Sequence, residues 1–269
     1  MQRGKRLVMG VVNVTPDSFS DGGQFLDHAT AIAHGRASVE LGADWIDVGG
    51  ESTRPRAEPV PVDEELRRVV PVVEALAADG VAVSIDTRKA AVAEAAVAAG
   101  ARMINDVSAT LGEVAAATGA GFVAMHMLGD PRTMQVDPDY GDVVAEVRDF
   151  LVERADAARA AGAPEVWIDP GIGFGKTLDH NLDLLANLDA LVATGYPVLV
   201  GTSRKSSLGA LAARADRTGV VPPAPDRLEG SIATAVWSLL RGAAMVRVHD
   251  VAATVRALDI VDGAQATAA

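Results

Sequence analysis

The sequence contains no cysteine among its 269 residues. Disulfide bonds, thiolate zinc sites, iron–sulfur clusters and cysteine nucleophiles are therefore excluded. No apolar run approaches the roughly 20 residues of a membrane span, and residues 1–10 lack the pattern of a secretory signal. We therefore expect a cytoplasmic location. Aromatic residues make up only 4% of the chain and lysine occurs four times, which reflects a bias toward alanine, glycine and arginine.

Positive charge is also in short supply, since 24 basic residues face 36 acidic ones and the net charge is −12. This balance disfavours a broad basic surface for nucleic acid or for an anionic membrane. Hydrophobic residues make up 49% and charged residues 22%, which is typical of a folded globular protein. We expect small-molecule ligands, with neither nucleic acid nor a membrane as partner.

Short β-branched apolar runs alternate along the chain with longer segments of helical periodicity. The predicted strands are 7–14, 45–48, 81–86, 102–105, 122–126, 166–169, 197–201 and 245–249. The predicted helices are 30–41, 63–78, 89–99, 113–118, 143–161, 182–193, 228–240 and 252–261. Eight βα units in about 250 residues are the expectation for an α/β fold of the (β/α)₈ TIM-barrel type.

A doubly wound open sheet is the competing architecture. It needs fewer strands and usually a glycine-rich fingerprint in its first turn, whereas the first turn here reads NVTPDSFSDGG. Since no linker divides the chain, we expect a single domain over residues 1–269. Segments 210–227 and 262–269 are predicted to be irregular, the second as a loose tail.

Polar side chains follow the predicted strands at their carboxyl ends. They are Asn13, Asp47, Asp86, Asn105, Asp106, His126, Asp169, Ser203, Arg204, Lys205, Arg247 and His249. Alternation along the last strand points Arg247 and His249 together into the barrel mouth. A flat ligand with donors on one edge and an anionic tail fits this set, because loops after strands seven and eight commonly hold a phosphate. The alternative for Asp106, Ser203 and Asp250 is helix capping.

Other chemistries receive weaker support from the sequence. Residues 169–176 end like a Walker loop, but Pro170 replaces its first glycine, and residues 201–205 lack the last glycine of a nucleophile elbow. The five histidines show no metal-ligand spacing. The sequence leaves room for a magnesium ion that is held mainly by substrate phosphates. Asn13 is the candidate protein ligand, and the alternative for Asn13 is a role as a turn residue.

Eight motifs in order give the sequence a family likeness. They are 13–23 (NVTPDSFSDGG), 47–55 (DVGGESTRP), 84–87 (SIDT), 105–108 (NDVS), 125–127 (MHM) with 131–135 (PRTMQ), 169–174 (DPGIGF) with Lys176, 203–206 (SRKS) and 247–250 (RVHD). The chain resembles the bacterial dihydropteroate synthase family nearly end to end. The resemblance implies condensation of 6-hydroxymethyl-7,8-dihydropterin diphosphate with p-aminobenzoate, with Mg²⁺ as cofactor, and it implies inhibition by sulfonamides and a homodimer.

The family's residue roles transfer by motif. By this resemblance the pterin contacts are Asp86, Asn105, Met125, Asp169, Lys205 and Arg247, and the diphosphate contacts are Asn13, Arg54, Arg247 and His249. The implied p-aminobenzoate contacts are Phe19, Thr53, Pro55, Gly173, Phe174, Lys205 and Ser206. The implied catalytic residues are Asp86, Asp169, Lys205, Arg247 and Asp21, the metal ligand is Asn13, and a loop with Asp17, Phe19 and Asp21 closes over the site.

The chain departs from the family pattern at three positions. Arg56 and Ala109 stand where the family usually has glycine, and Ser207 replaces a bulky apolar residue. A non-catalytic pterin-binding paralogue and a pterin-dependent methyltransferase domain are the alternative functions. The intact set of proposed reacting groups argues against the paralogue, and the SRKS motif argues against the methyltransferase.

Overall fold

The computed structural model describes residues 6–15, 24–52, 57–217 and 219–268. Parallel strands within these ranges form one eight-stranded sheet in the order β6-β5-β4-β3-β2-β1-β8-β7. The strands are β1 (Leu7–Asn13), β2 (Trp45–Gly49), β3 (Val83–Asp86), β4 (Met103–Asp106), β5 (Gly121–Met125), β6 (Val166–Asp169), β7 (Leu199–Val200) and β8 (Met245–Val248). A parallel bridge between Ile168 and Val198 joins the two ends of the sheet. The predicted TIM barrel is confirmed, while its extent as a single domain over 1–269 stays a prediction.

The helices follow the strands along the chain, and the last of them comes after β8. They are α1 (Gln24–Glu40), α2 (Val62–Ala78), α3 (Ala90–Ala98), α4 (Gly112–Thr118), α5 (Val143–Ala161), α6 (Leu178–Ala186), α7 (Leu188–Val192), α8 (Ser206–Ala215), α9 (Leu228–Leu240) and α10 (Val251–Ala268). The predicted helix 182–193 is two helices, because Asn187 leaves helical geometry with φ −112° and ψ 33°.

Two segments predicted to be irregular are helical over part or most of their length. Helix α8 begins before segment 210–227 and extends into its first residues. Leu208 and Ala213 of this helix are buried. Helix α10 continues to Ala268, and Arg6 pairs with Asp262 on its last turns. The expectation of a loose tail from 262 is therefore wrong over the described residues, because a tertiary ion pair supports a segment of weak hydrophobic pattern.

Alternation along the strands divides the core into two layers. The barrel interior holds the apolar residues Met9, Met103, Val123, Trp167, Leu199 and Met245. The intervening strand residues, such as Ile46, Ile85 and Ile168, pack outward against the helices. Several inward rows reach a polar residue at the carboxyl end of the strand, as Met103 is followed by Asn105 and Met245 by Arg247. The apolar side chains of the barrel interior thus lie directly beneath a polar mouth.

Candidate active site

Arg247 connects two carboxylates at the centre of the barrel mouth. Its Nε donates to Asp47 Oδ2 at 2.6 Å, and its Nη2 donates to Asp86 Oδ2 at 2.9 Å. Asp47 and Asp86 lie on the inward faces of neighbouring strands, where the register pairs Asp47 with Ser84 and Gly49 with Asp86. A planar guanidinium suits this arrangement because its donors diverge at fixed angles toward separate acceptors.

Asn105 extends this polar cluster onto β4. Its Nδ2 donates to Asp47 Oδ2 at 3.0 Å, which leaves the amide oxygen facing away from that bond. Among the described residues, Asp47 Oδ1, Ser84 Oγ and Asn105 Oδ1 are buried without a hydrogen-bond partner. Each such atom costs on the order of 1–3 kcal/mol, so the cluster is suited to a ligand that carries donors. The sequence patterns did not single out Ser84. It lies two residues before Asp86 in β3, however, and therefore faces the barrel interior as Asp86 does.

Burial changes the proton affinity of the carboxylates in this mouth. Desolvation raises the pKa of Asp86 to about 7, against the opposing effect of the Arg247 charge. Desolvation also raises the pKa of Asp169, whose Oδ1 accepts from the Gly171 amide at 2.7 Å. Asp86 can therefore exchange a proton near neutral pH, which is typical of carboxylates in active sites.

Lys205 reaches the mouth from the loop that follows β7. Its Nζ donates to the carbonyl of Ile172 and lies 4.6 Å from the centre of the Phe174 ring. Burial lowers the pKa of Lys205 to about 8, although the Asp169 carboxylate favours the charged form. Arg204 precedes it in a left-handed conformation with φ 59°, and this turn directs Lys205 inward.

The residues after β8 make a second polar edge. His249 Nδ1 lies 3.1 Å from Ser203 Oγ, and the His249 backbone N–H donates to the same oxygen. The next residue, Asp250, accepts from Arg204 Nε at 2.9 Å and from its Nη2 at 2.5 Å. Asp250 and Ser203 therefore join the loops after β7 and β8, where barrels commonly bind phosphate.

The remaining predicted residues divide into three groups. Asn13 ends β1 and Met125 ends β5, both at the mouth, and Ser206 opens α8 beside Lys205. Two rim residues have structural roles, since Asp106 accepts from the amides of Thr110 and Leu111 and His126 contacts Lys176. The predictions for Asp17, Phe19, Asp21, Thr53, Arg54, Pro55 and Arg56 lie outside the described residues.

An ion-pair network beside the loop after β2 was not predicted. Glu51 accepts from the Val60 amide and from Lys89 Nζ, each at 2.7 Å. Lys89 also pairs with the fully buried Glu65, whose other oxygen accepts from Thr87 at 2.7 Å. The separation of these residues in sequence hides the network from pattern analysis, and it ties the start of this loop to α2 and α3.

The described residues contain neither a membrane-spanning helix nor a cluster of metal-ligating side chains. No described helix combines the length and apolar character needed to cross a membrane. Within the same ranges, no group of three or more histidine and acidic side chains forms a site for a metal ion.

The fold and the mouth together define a (β/α)₈ barrel enzyme that binds a polar, donor-rich ligand at the carboxyl ends of its strands. The chain belongs to the family of pterin binding enzymes, whose model matches residues 9–249. It is 46% identical over 268 residues to the dihydropteroate synthase of Neisseria meningitidis serogroup B, covering 95% of this chain and 92% of that protein.

Solved structures give the same result at the level of the fold. The dihydropteroate synthase of Xanthomonas albilineans with 4-aminobenzoic acid has a TM-score of 0.89 and 50% identity, covering 97% of this chain and 93% of that one. The same enzyme in complex with 7,8-dihydropteroate has a TM-score of 0.86 and 46% identity, covering 99% and 96% of the two chains. The family expectation from the sequence motifs is confirmed.

Proposed function

We propose that this protein condenses 6-hydroxymethyl-7,8-dihydropterin diphosphate with p-aminobenzoate, giving 7,8-dihydropteroate and pyrophosphate. The observation that carries the proposal is the likeness, over 99% of this chain, to a dihydropteroate synthase solved with 7,8-dihydropteroate. The polar mouth supports it independently, because its buried acceptors match the N–H groups along one edge of a pterin.

Asp86, Asn105 and Asp169 accept hydrogen bonds from the pterin edge. Asn105 Oδ1 and Asp47 Oδ1 are buried acceptors without a partner among the described residues, so pterin donors remove their desolvation cost. Met125 packs on the ring from the end of β5, where it is 4% exposed. Lys205 lies on the carbonyl side of the pterin and balances the negative charge of Asp169.

The reaction breaks the bond between the pterin methylene carbon and the diphosphate oxygen. The electron pair of that bond leaves with pyrophosphate, the amine lone pair of p-aminobenzoate forms the new carbon–nitrogen bond, and the nitrogen releases a proton. Positive charge develops on the pterin methylene, and the carboxylates at the pterin edge stabilise it. Arg247 and His249 stabilise the negative charge that accumulates on the leaving diphosphate.

Asn13 is the residue that would hold a magnesium ion. Its amide oxygen is a hard ligand at the end of β1, and it lies 3.7 Å from the point where a Cβ on Gly49 would stand. One amide oxygen together with diphosphate oxygens fits the preference of Mg²⁺ for few protein ligands. When bound, the ion neutralises the charge that develops on the diphosphate.

The second substrate occupies the side of the mouth formed by Phe174, Lys205 and Ser206. Ser206 is the first residue of α8, whose free backbone N–H groups attract the carboxylate of p-aminobenzoate. By the family resemblance, Thr53, Pro55 and Phe19, which lie outside the described residues, also contact p-aminobenzoate. Sulfonamides carry the same aniline ring and bind there as competitors of p-aminobenzoate.

Two further properties stay predictions, namely a homodimer, which the family resemblance implies, and a cytoplasmic location, which the sequence features favour. Light scattering coupled to size-exclusion chromatography checks the first. A mass of twice 27.7 kDa is expected, and a mass of 27.7 kDa contradicts the dimer.

The assay for the proposed function follows two products at once. The purified protein is incubated with the pterin diphosphate and Mg²⁺, with and without p-aminobenzoate, while pyrophosphate release and the dihydropteroate mass are measured. Dihydropteroate that requires both substrates is the expected result. Tight binding of the pterin diphosphate without product would instead establish the non-catalytic paralogue.

A matched pair of variants ties that activity to the mouth. Lys205→Met removes the cation beside Asp169, and we expect kcat/KM to fall by at least about thirtyfold, or roughly 2 kcal/mol. Lys89→Met removes a lysine of the network that joins Glu51 and Glu65, outside the mouth. Near-normal turnover of Lys205→Met contradicts the assigned role. A fall in kcat/KM that is larger in Lys205→Met than in Lys89→Met supports it.

A further inference from the structure

The loop after β6, residues 171–175, lies directly on the loop after β5, residues 126–142. A Cβ on Gly171 would stand 1.9 Å from the His126 carbonyl oxygen, and one on Gly175 would stand 2.6 Å from Leu128 Cβ. Both glycines have positive φ, at 63° and 62°. Only glycine combines that backbone geometry with so close an approach, so the two loops pack as one unit.

Hydrogen bonds from outside the mouth hold the peptide groups of the 171–175 loop. Gln135 Nε2 donates to the Gly173 carbonyl at 2.7 Å, and Asn181 Oδ1 accepts from the Gly173 N–H at 2.6 Å. Tyr140 donates its hydroxyl proton to the Gly175 carbonyl at 2.8 Å. The Gly173 peptide is therefore fixed on both sides, between a residue of the preceding loop and a residue of α6.

Lys176 gathers the rest of the loop around one buried ammonium. Its Nζ donates to the carbonyls of Gly171 at 3.1 Å and Phe174 at 3.0 Å, and it lies 2.9 Å from His126 Nδ1. The side chain is buried, and its contacts are backbone carbonyls and a ring nitrogen rather than a carboxylate. An ammonium with three donors and three such acceptors organises the backbone around it.

We propose that Gln135, Asn181 and Lys176 are positioning residues for p-aminobenzoate, because they hold the 171–175 loop in the shape that presents Gly173 and Phe174 to the second substrate. This inference rests on the proposed function, and it explains the two parts of the sequence motifs, PRTMQ and the lysine after DPGIGF, that the mechanism does not use. Lys205 also depends on this loop, since it donates to the Ile172 carbonyl and lies over the Phe174 ring.

Of the proposed pterin contacts, Asp169 and Lys205 touch this loop through the Gly171 N–H and the Ile172 carbonyl, whereas Asp86 and Asn105 do not. Asp86 and Asn105 sit on β3 and β4, and their hydrogen bonds run to Arg247 and Asp47. Loss of a support for the 171–175 loop therefore changes the two substrates unequally. A residue that served only the stability of the barrel would change both together.

The experiment measures steady-state KM for each substrate in the full-length protein. Gln135→Ala removes one exposed donor, and we expect KM for p-aminobenzoate to rise about fivefold with KM for the pterin diphosphate unchanged within twofold. Lys176→Met removes three hydrogen bonds from a buried position, and the expected rise is larger. Gln265→Ala is the matched control, because this exposed glutamine makes its hydrogen bond with Arg6, away from the mouth.

Each outcome decides the proposal. A rise confined to p-aminobenzoate in Gln135→Ala, with no change in Gln265→Ala, supports it even if Lys176→Met does not fold. Unchanged KM for p-aminobenzoate in Gln135→Ala, or an equal rise for both substrates, overturns it while the wild-type activity stands. Absence of dihydropteroate from the wild-type protein removes the proposed function and this inference together.

Discussion

Arg247 is the residue on which the buried charges of the mouth converge. Its two hydrogen bonds reach Asp47 and Asp86 on neighbouring strands, and Asp47 in turn accepts from Asn105. Removal of one partner from such a cluster leaves an uncompensated charge in a region of low dielectric constant. The geometry of one guanidinium thus helps to fix the positions of Asp47 and Asp86, the second of which is proposed to bind pterin.

Replacement of Arg247 by lysine keeps the charge and removes the planar fork. An ammonium at this position reaches one carboxylate at a time, so the other carboxylate loses its partner. We expect kcat/KM for the pterin diphosphate to fall about 100-fold, or close to 3 kcal/mol of transition-state stabilisation. Arg241→Lys, at an exposed arginine stacked 4.6 Å from the Trp237 ring, should leave the rate unchanged. Equal rates for the two variants would contradict the role given to Arg247.

The shifted proton affinities in the mouth predict a narrow optimum of pH. The pKa of Asp86 is raised to about 7, so its carboxylate is ionised, and accepts from pterin, only above that pH. The pKa of Lys205 is lowered to about 8, so its ammonium is charged only below that pH. We expect kcat/KM for the pterin diphosphate to rise through pH 7 and to fall above pH 8, because this ratio reports groups of the free enzyme.

Two variants assign the limbs of that profile. Asp86→Asn should flatten the acid limb at a lower plateau, because the amide that replaces the carboxylate does not titrate. Lys205→Arg should carry the alkaline limb out of the measured range, because a guanidinium stays charged there. A wild-type profile that is flat between pH 6 and 9 would count against both assignments.

At the scale of elements, the conformation of the loop after β6 depends on close backbone contact with the loop after β5 more than on buried side chains. Gly171→Ala introduces a methyl group that overlaps the His126 carbonyl and stands at φ 63°. We expect the free energy of unfolding to fall by about 3 kcal/mol or more, since overpacking adds to the cost of the left-handed backbone. Urea denaturation measures this loss.

Gly195→Ala separates those two contributions. Gly195 also has positive φ, at 84°, but a Cβ there meets nothing within 4 Å. This variant should lose only about 1 kcal/mol, which is the conformational cost alone. If the two variants lost the same amount, close packing of the loops after β5 and β6 would not be the reason for glycine at 171.

The elements that the sequence predicted well are those with strong local patterns. Strands β1 to β8 follow apolar runs, and α5 begins at Val143 because Asp142 caps the amides of Val144 and Ala145. Helix α8 was missed because Gly209 and two serines weaken its pattern, while tertiary packing against α9 supports it. Contacts between distant loops, such as Gln135 with Gly173, leave no periodic signal in the sequence and were visible only in the structure.

Motif matching placed Asp86, Asn105, Asp169 and Lys205 at the mouth, because polar residues at strand ends converge in any parallel barrel. It did not assign a role to Asp47, which joins Arg247 to Asn105. That role depends on the register between β1, β2 and β3, and register is a property of the assembled sheet.

Across the whole molecule, an acidic chain concentrates its few lysines where anionic substrates are proposed to bind. Of its four lysines, Lys176 and Lys205 lie at or beneath the mouth, and Lys89 neutralises Glu51 and Glu65 close to the rim. The opposite end of the barrel, at the amino ends of the strands, contributes to stability. There Arg6, which precedes β1, pairs with Asp262 and Gln265 of α10 and joins the two ends of the chain.

Deletion of residues 262–269 tests this division between stability and function. The deletion removes both partners of Arg6, so we expect the free energy of unfolding to fall by about 1–2 kcal/mol. The activity should stay within about twofold, because residues at the amino ends of barrel strands support the fold rather than the chemistry. Arg6→Met is the matched point variant, since it removes the same contacts and leaves α10 whole. A deletion that abolished activity while Arg6→Met retained it would show that the last turns of α10 act on the mouth by another route.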